Sequence, residues 1–311
     1  MCATCGCSGG GKATIEGEPE RPEDARGHTH AHEHAHEDVD AHAHEPTGAP
    51  GHAHEHQHTH AHEHAHEGPH THEHVDEQGR VYSHTHAAPD RGPAELAVLE
   101  ERLLQKNDRL AERNRAWLAG REVLALNLMS SPGAGKTTLL VRALEGLGVP
   151  ASVIEGDQAS SLDADRIREA GAPVLQINTG TGCHLEADMV ATALERLRPA
   201  FGSVLFIENV GNLVCPSLFD LGESVRVVLF SVTEGADKPV KYPHMFRRAD
   251  VVILTKIDLL PHVDFDERAA LSAVRAARPD VTLFRLSART GEGMPDLLDW
   301  LRGRRRALHP G

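Results

Sequence analysis

The residues best suited to chemistry form a glycine-rich loop. Ser130–Thr138 reads Ser-Ser-Pro-Gly-Ala-Gly-Lys-Thr-Thr and follows an apolar run. A loop of this kind turns backbone N–H groups toward phosphate oxygens, its lysine bridges the β- and γ-phosphates, and the next hydroxyl ligates Mg²⁺. Ser130 replaces the usual first glycine, so we interpret the loop as a variant Walker A motif. The predicted contacts are Gly133, Ala134, Gly135, Lys136, Thr137 and Thr138.

A second motif predicts which base accompanies the phosphates. Thr255-Lys-Ile-Asp258 follows an apolar run and is similar to the Asn-Lys-x-Asp motif of GTPases, with Thr255 in place of asparagine. The Asp258 carboxylate can accept hydrogen bonds from guanine N1–H and N2, donors that adenine lacks. We expect Lys256 to pack on the base and Ser287 and Ala288 to offer backbone amides to guanine O6. GTP and GDP are the expected nucleotides.

Two acidic residues at predicted strand ends complete the catalytic candidates. Asp157 follows the second apolar run, and Glu208 precedes Gly211 in Glu-Asn-Val-Gly. Either carboxylate suits Mg²⁺ or an attacking water. We assign Asp157, with Thr137, to the magnesium and water side, and Glu208, with Gly211, to sensing the γ-phosphate. The alternative is that both are exposed loop acids. Lys136, Asp157 and Glu208 are the predicted catalytic residues, and the lack of an evident water-orienting glutamine predicts slow turnover.

Cysteine and histidine residues predict two sites for a soft transition metal. Cys183 and His184 are adjacent, and Cys215 lies four residues beyond Gly211. Thiolate and imidazole ligands suit Ni²⁺ or Zn²⁺. The alternative is that the two cysteines are small buried residues and the histidine a polar residue at a helix start. A separate cluster near the N-terminus, Cys2, Cys5 and Cys7, would hold Ni²⁺ or Zn²⁺ through three thiolates, or would be a Cys-rich segment without a metal role.

The N-terminal third differs from the rest in composition. Residues 1–90 contain 20 of the 24 histidines, mostly in His-x-His blocks, with 17 acidic and 4 basic residues. This composition predicts a disordered metal-binding arm, either a metal reservoir or an inert linker. Residues 91–311 contain 29 acidic and 28 basic residues. A nearly balanced charge gives no support for binding nucleic acid or an anionic membrane. We read no signal peptide or membrane span, and expect a cytoplasmic protein with reduced thiols.

The elements that would position these residues alternate between short apolar runs and longer amphipathic ones. This alternation predicts an α/β fold with a mostly parallel sheet, in which ligands bind beyond the carboxyl ends of the strands. The predicted strands are 123–129, 151–155, 174–178, 203–208, 225–232, 251–255 and 282–286. The predicted helices are 137–147, 162–169, 185–197, 239–248, 267–276 and 295–302.

The predicted organisation has four parts. They are a cysteine motif at 1–11, a disordered His-rich linker at 12–90, an amphipathic helix at 91–120 and a GTPase domain at 121–311. The helix is expected to dock a partner protein; the alternative is that it packs back on the GTPase domain.

Together these motifs resemble the HypB family of nickel-chaperone GTPases. The resemblance rests on the loop at Ser130, Asn-Thr-Gly-Thr-Gly-Cys183-His184, Glu208-Asn-Val-Gly-Asn-Leu-Val-Cys215-Pro, Thr233-Glu-Gly-Ala-Asp-Lys-Pro-Val-Lys-Tyr-Pro and the N-terminal cysteines. It implies a P-loop domain of the SIMIBI class and a role in inserting nickel into [NiFe]-hydrogenase. It also implies a GTP-dependent homodimer that shares metal at its interface, with a HypA-type accessory protein and the hydrogenase large subunit as partners.

Some alternatives stay open within this resemblance. A urease-type nickel GTPase and a nickel store with a dispensable GTPase would share much of the pattern. Lys238 and Lys241 would reach the nucleotide across a dimer, or would be solvated lysines.

Overall fold

The computed structural model describes residues 14–16, 70–75, 81–86, 93–157, 162–180 and 182–308. Cys2, Cys5 and Cys7, and most of the His-rich tract, lie outside the described residues. The chain divides into two compact units, one of residues 1–20 with 94–311 and one of residues 21–93. Within the described part of the chain, no helix is both long and apolar enough to cross a membrane.

The larger unit is built on one eight-stranded sheet. In chain order its strands are β1 (Thr14–Glu16), β4 (Leu124–Ser130), β5 (Ala151–Asp157), β6 (Val174–Asn178), β7 (Val204–Glu208), β8 (Val225–Ser231), β9 (Val251–Thr255) and β10 (Thr282–Arg285). Their order across the sheet is β1-β6-β5-β7-β4-β8-β9-β10. Seven strands are parallel, and only β1 runs antiparallel, against β6. The predicted α/β fold with a mostly parallel sheet is therefore confirmed.

Helices cover both faces of this sheet, as a parallel sheet requires. They are α1 (Pro93–Gly120), α2 (Lys136–Leu147), α3 (Leu162–Glu169), α4 (Ala187–Leu197), α5 (Lys238–Lys241), α6 (Pro243–Arg248), α7 (Glu267–Ala277) and α8 (Met294–Ala307). The central strands β4, β7 and β9 are buried along their whole length. One core cluster packs α2 and α8 on one side of the sheet. A second packs α1 and α4 on the sheet through Leu118, Val190 and Leu194.

Two predicted helices differ from the structure. The helix expected at 239–248 is interrupted between α5 and α6, because Pro243 has no N–H to continue the hydrogen-bond ladder. The final helix extends beyond residue 302, through an arginine-rich turn to Ala307. The charged residues of this last turn show no apolar periodicity, so the pattern did not predict a helix there.

Short strands occur in the segment that was expected to be disordered. Besides β1, they are β2 (His70–Val75) and β3 (Val81–His86), which form a two-stranded antiparallel sheet. Its register places His70 opposite His86 and His72 opposite His84. Alternating His-x-His blocks conceal strand character, because they lack a regular alternation of apolar and polar residues.

Helix α1 packs on the larger unit along its second half. Ala111 and Leu118 are fully or almost fully buried, and two asparagines on the same helix are 5% (Asn107) and 3% (Asn114) exposed. The sequence left two hypotheses for this helix, docking of a partner protein or packing on the GTPase domain. The contacts from Asn107 onward match the second. Trp117 is partly exposed, with the Arg121 guanidinium 5.0 Å from its ring centre.

Candidate functional site

The phosphate loop joins β4 to α2 at the carboxyl edge of the sheet. Gly133 and Gly135 have φ angles of 75° and 96°, a region that glycine enters without strain. Gly135 caps α2, so the positive end of the helix faces the loop. Lys136 Nζ donates to Ser130 Oγ at 3.2 Å. The serine that replaces the usual glycine therefore holds the lysine that is expected to bind phosphate. Thr138 Oγ1 accepts from Arg166 at 3.3 Å.

The candidate base-binding loops attach directly to the phosphate loop. Thr255 Oγ1 donates to the Ala134 carbonyl at 2.7 Å, and Lys256 Nζ donates to the Gly133 carbonyl at 2.6 Å. Thr255 thus makes an anchoring contact from the position where asparagine is usual. Asp258 lies two residues beyond Lys256, in the first turn of a 3-10 helix. The structure brings the predicted phosphate and base motifs together.

The second base-binding segment follows β10. Ile257 N donates to the Leu286 carbonyl at 3.4 Å, so this segment is tied to the loop that carries Asp258. Ser287 Oγ accepts from Thr290 N, and the Ala288 carbonyl accepts from Arg142 at 3.1 Å. Ser287 and Ala288 therefore lie in a turn held from both sides.

The predicted catalytic acids lie at neighbouring strand ends. Thr137 Oγ1 donates to Glu208 Oε1 at 2.7 Å, which places Glu208 directly on the hydroxyl expected to ligate magnesium. Asp157 ends β5 and is half-buried. Gly211 packs on Pro132 of the phosphate loop, where an added Cβ would lie 3.1 Å from the proline Cα. From the sequence we grouped Thr137 with Asp157, whereas in the structure Thr137 is hydrogen-bonded to Glu208.

A third carboxylate, Glu155, was not among the predicted site residues. It lies opposite Glu208 in the register of β5 and β7 and is almost fully buried. Burial, the Glu208 charge and the Asp157 charge raise the pKa of Glu155 to about 8. Burial also raises the pKa of Glu208 to about 7, although Lys136 and the Thr137 hydrogen bond act against it. The signal available in the sequence was an acidic residue inside an otherwise apolar strand.

Lys238 contacts the phosphate loop of its own chain. Its Nζ donates to Ser131 Oγ at 3.1 Å and lies 5.2 Å from the centre of the Tyr242 ring. Lys241 instead pairs with Asp237 on an exposed surface. One pair of alternatives was predicted for both lysines, but in the structure their surroundings differ.

The thiol and imidazole candidates also come together. One ligand atom from each of Cys183, His184 and Cys215 lies within 4.8 Å of the other two. Cys183 is 7% exposed and Cys215 is 0% exposed. Ligand atoms about 2.0–2.3 Å from a tetrahedral metal are roughly 3.3–3.8 Å apart. The cluster would need to contract by only about 1 Å to hold an ion.

His184 is prepared to act as a neutral ligand. Burial lowers its pKa to about 4, so the imidazole carries no charge at neutral pH. Nδ1 lies 3.5 Å from Cys183 Sγ, and Nε2 is buried without a hydrogen-bond partner. The ring stacks on Phe219 with centroids 3.9 Å apart. Nε2 lies 3.7 Å from Glu186 Oε1, so Nδ1, on the Cys183 side, is the ring nitrogen placed to join a metal at the cluster. No sequence signal pointed to Phe219.

The fold and the phosphate loop define a P-loop nucleotide-binding protein with an adjoining thiolate and imidazole cluster. Residues 124–285 match the family model described as CobW/HypB/UreG, nucleotide-binding domain. The chain is 44% identical over 311 residues to the hydrogenase maturation factor HypB of Escherichia coli K12, covering 98% of this chain and 99% of that protein. It is 51% identical over 232 residues to the HypB of Azotobacter chroococcum, covering 74% and 75%. The chain belongs to the HypB family of hydrogenase maturation factors, a family of nickel-related P-loop GTPases.

Solved structures of the family support the same assignment. The crystal structure of HypB from Helicobacter pylori in complex with nickel aligns with a TM-score of 0.62 at 38% identity, covering 65% of this chain and 96% of that one. The HypB structure from Archaeoglobus fulgidus aligns with a TM-score of 0.62 at 39% identity, covering 65% and 100%. The Helicobacter pylori protein of strain J99, 38% identical over 222 residues that span 70% of this chain and 91% of that protein, is called a hydrogenase/urease maturation factor.

Proposed function

We propose that this protein is a GTP-hydrolysing nickel metallochaperone that assists the insertion of nickel into [NiFe]-hydrogenase. The observation that supports it most is the cluster of Cys183, His184 and Cys215 in the same domain as a phosphate loop. The cluster offers ligands for a soft cation, and the loop offers a site whose occupant changes on hydrolysis. A protein with both can make metal affinity depend on nucleotide state.

The phosphate loop and base loops bind GTP in this proposal. Backbone N–H groups from Gly133 to Thr138, together with Lys136, hold the phosphates, and Asp258 reads the guanine. Lys256 and Thr255 keep the base loop against the phosphate loop through their contacts with Gly133 and Ala134. Lys238 lies near enough to the loop to add a second positive charge on the phosphate side.

The site has residues of the right type for Mg²⁺. Thr137 and Glu208 would hold the ion directly or through water, with Asp157 at the next strand end. A bound Mg²⁺ would neutralise charge on the β- and γ-phosphates. A water oxygen then bonds to the γ-phosphorus while the bond to the β–γ bridging oxygen breaks, which yields GDP and phosphate. Asp157 orients this water, and Gly211 senses the γ-phosphate.

The nickel ion is the cargo of the cluster. Three ligands from one chain leave a coordination position open, and a second copy of the chain in a GTP-bound homodimer would fill it. Zn²⁺ is an alternative occupant, since thiolate and imidazole ligands accept both ions. The N-terminal cysteines and the His-rich tract are further nickel sites in this proposal, the tract serving as a store. We place the protein in the cytoplasm, with a HypA-type accessory protein and the hydrogenase large subunit as partners.

The proposal is tested by restoring hydrogenase maturation in cells that lack their own HypB. The wild-type chain is expected to restore hydrogenase activity, and Lys136→Ala and Cys215→Ala are each expected to abolish it. Glu145→Gln, an exposed change on α2, serves as the control. Restoration by Lys136→Ala at normal protein levels would instead support a nickel store in which GTP hydrolysis is dispensable.

A role in urease maturation is a second candidate, favoured by the name of the Helicobacter pylori relatives. The same cells, supplied with a urease operon that lacks its own nickel GTPase, would distinguish the two roles. Restored urease activity would add this second client, and its absence would leave the hydrogenase role alone.

A further inference from the structure

The two segments that carry the metal ligands connect to the nucleotide side in different ways. Cys215 belongs to the segment that follows Gly211, and a compact turn links them, with Asn212 N donating to the Val210 carbonyl at 2.7 Å and Asn212 Oδ1 accepting from Val214 N at 2.8 Å. Cys183 and His184 lie in the segment after β6, remote in sequence from that turn. A switch that moved only the first segment would change one ligand and leave the other two.

The Asn209 side chain bridges this gap. Asn209 directly follows Glu208, the carboxylate hydrogen-bonded to Thr137, and is 1% exposed. Its Oδ1 accepts from Leu185 N at 3.1 Å and from Val210 N at 3.0 Å. Leu185 is the residue after His184. One buried amide oxygen therefore ties the switch segment to the segment with the other two ligands.

The opposite end of the same amide is anchored in the strand that precedes the phosphate loop. Asn209 Nδ2 donates to Asn127 Oδ1 at 3.2 Å, and Asn209 N donates to the Leu128 carbonyl at 3.1 Å. Asn127 in turn donates to Glu223 at 3.4 Å. An amide is suited to this position because it accepts and donates through one short side chain.

We propose that Asn209 is the positioning residue through which the nucleotide state reaches Cys183 and His184. This inference rests on the proposed function, because it assumes that the cluster binds nickel and that 208–211 responds to the γ-phosphate. When that segment moves, the buried hydrogen bond to Leu185 N must move with it or leave a backbone donor unsatisfied. Both ligand segments then shift together, one through the chain and one through the Asn209 side chain.

The test measures coupling between the two sites instead of binding at either one. Because linkage is reciprocal, nickel must change the preference for GTP over GDP by the same factor that GTP changes nickel affinity. Affinities of the full chain for fluorescent GDP and for a fluorescent non-hydrolysable GTP analogue are measured with saturating Ni²⁺ and with a chelator. Cys215→Ala reports any contribution from nickel bound elsewhere in the chain.

In the wild type, the ratio of the two nucleotide affinities is expected to change at least about 5-fold with nickel. In Cys215→Ala, nickel is expected to leave this ratio unchanged. Asn209→Ala is expected to bind both nucleotides but show a change below about 2-fold. Asn209→Ser is a milder second variant, since its hydroxyl can pair with Val210 N but is too short for Leu185 N. Ser203→Ala is the matched control, because Ser203 is also a buried polar residue, 1% exposed, but lies just before β7, at the opposite end of that strand from Glu208. It is expected to keep the wild-type coupling.

The possible results separate this inference from the proposed function. Coupling in the wild type that persists in both folded Asn209 variants would overturn the role of Asn209 and leave the proposed function standing. No nickel effect in the wild type beyond that of Cys215→Ala would overturn both. Loss of coupling in Ser203→Ala as well would show that any disturbance of the buried core suffices, and would also overturn the specific role of Asn209.

Discussion

At the scale of single residues, the carboxyl edge of the sheet concentrates buried acids. Glu155 and Glu208 face each other across β5 and β7, and Asp157 lies two residues further along β5. Burial raises the pKa of Glu155 to about 8, with a further contribution from the Glu208 charge, and raises the pKa of Glu208 to about 7, with smaller contributions from Asp163 and Asp157. A site that is costly to charge when empty gains stability when a cation enters, which suits the site proposed for Mg²⁺.

These raised pKa values predict a pH dependence of stability. A carboxyl group with a higher pKa in the folded state binds more protons when folded, so stability falls as pH rises between the unfolded and folded values. His184 has the opposite sign, but its window lies between about 4 and 6.5. Of these three groups, only the two carboxyl groups contribute above pH 6.5. The wild type is expected to lose stability between pH 6.5 and 8 as Glu155 ionises. With a chelator present and no nucleotide, the free energy of unfolding of Glu155→Gln should fall by about 1–2 kcal/mol less than that of the wild type over this range.

Urea unfolding at pH 6.5, 7.2 and 8.0 measures this effect. Glu145→Gln, which changes an exposed glutamate on α2, should keep the wild-type dependence of the free energy of unfolding on pH. If the free energy of unfolding of Glu155→Gln changes with pH as it does in the wild type, Glu155 is ionised and solvated in the apo protein, contrary to its burial.

At the scale of elements, α1 holds both segments of the candidate metal cluster. Asn107 Oδ1 accepts from Ala187 N at 2.9 Å, and its Nδ2 donates to the Asp220 carbonyl at 2.8 Å. Asn114 Nδ2 donates to the carbonyls of Ala187 and Leu221 at 2.8 and 3.0 Å. The start of α4 and the loop after Cys215 are therefore fastened to one helix, two turns apart. At the rim, Arg115 pairs with Asp220 at 2.7 Å.

The close fit of α1 predicts a steric effect at Gly222. This glycine has a φ angle of 90°, and an added Cβ would lie 2.6 Å from the Ala111 carbonyl oxygen and the Asn114 Cβ. Gly222→Ala should therefore displace α1 and cost about 2–4 kcal/mol, beyond the roughly 1 kcal/mol for the φ angle alone. It should also weaken nickel binding at the cluster.

A matched control exists for the backbone part of this cost. Gly171 has a φ angle of 82°, and nothing lies within 4 Å of its added Cβ. Urea unfolding of Gly171→Ala should show only the conformational cost, and nickel binding should stay normal. Equal destabilisation by the two substitutions would contradict tight packing of α1 on the 220–222 loop.

The elements show what the sequence could and could not predict. Buried strands such as β6 and β9 match their predicted bounds, because apolar runs between turn residues report burial directly. From the sequence, the packing of α1 was one of two alternatives and could not be chosen, since it depends on Asn107 and Asn114, which resemble solvated helix residues in the sequence. The break before Pro243 was signalled by the proline itself, and an apolar pattern that continued across it concealed the signal.

At the scale of the whole molecule, local motifs predicted the two sites but not the contacts between them. The spacing within Gly-Ala-Gly-Lys or around Cys215 places residues that are neighbours in the chain. The hydrogen bonds of Thr137 with Glu208 and of Asn209 with Leu185 join residues 71 and 24 positions apart. Tertiary packing sets such contacts, so they emerge only with the fold. The molecule combines a phosphate loop and a candidate metal cluster whose segments share the strand end at Glu208.

The central claim is that this edge of the sheet is a guanine-specific nucleotide switch. The most direct measurement compares GTP and ATP hydrolysis by the purified full chain in Mg²⁺, for the wild type and Asp258→Ala. We expect slow turnover of GTP, roughly 10⁻⁴–10⁻² s⁻¹, with at least about a 100-fold preference over ATP. That preference should be lost in Asp258→Ala, because the carboxylate that pairs with guanine is gone. Equal hydrolysis of ATP by the wild type, or an unchanged preference in Asp258→Ala, would contradict the claim.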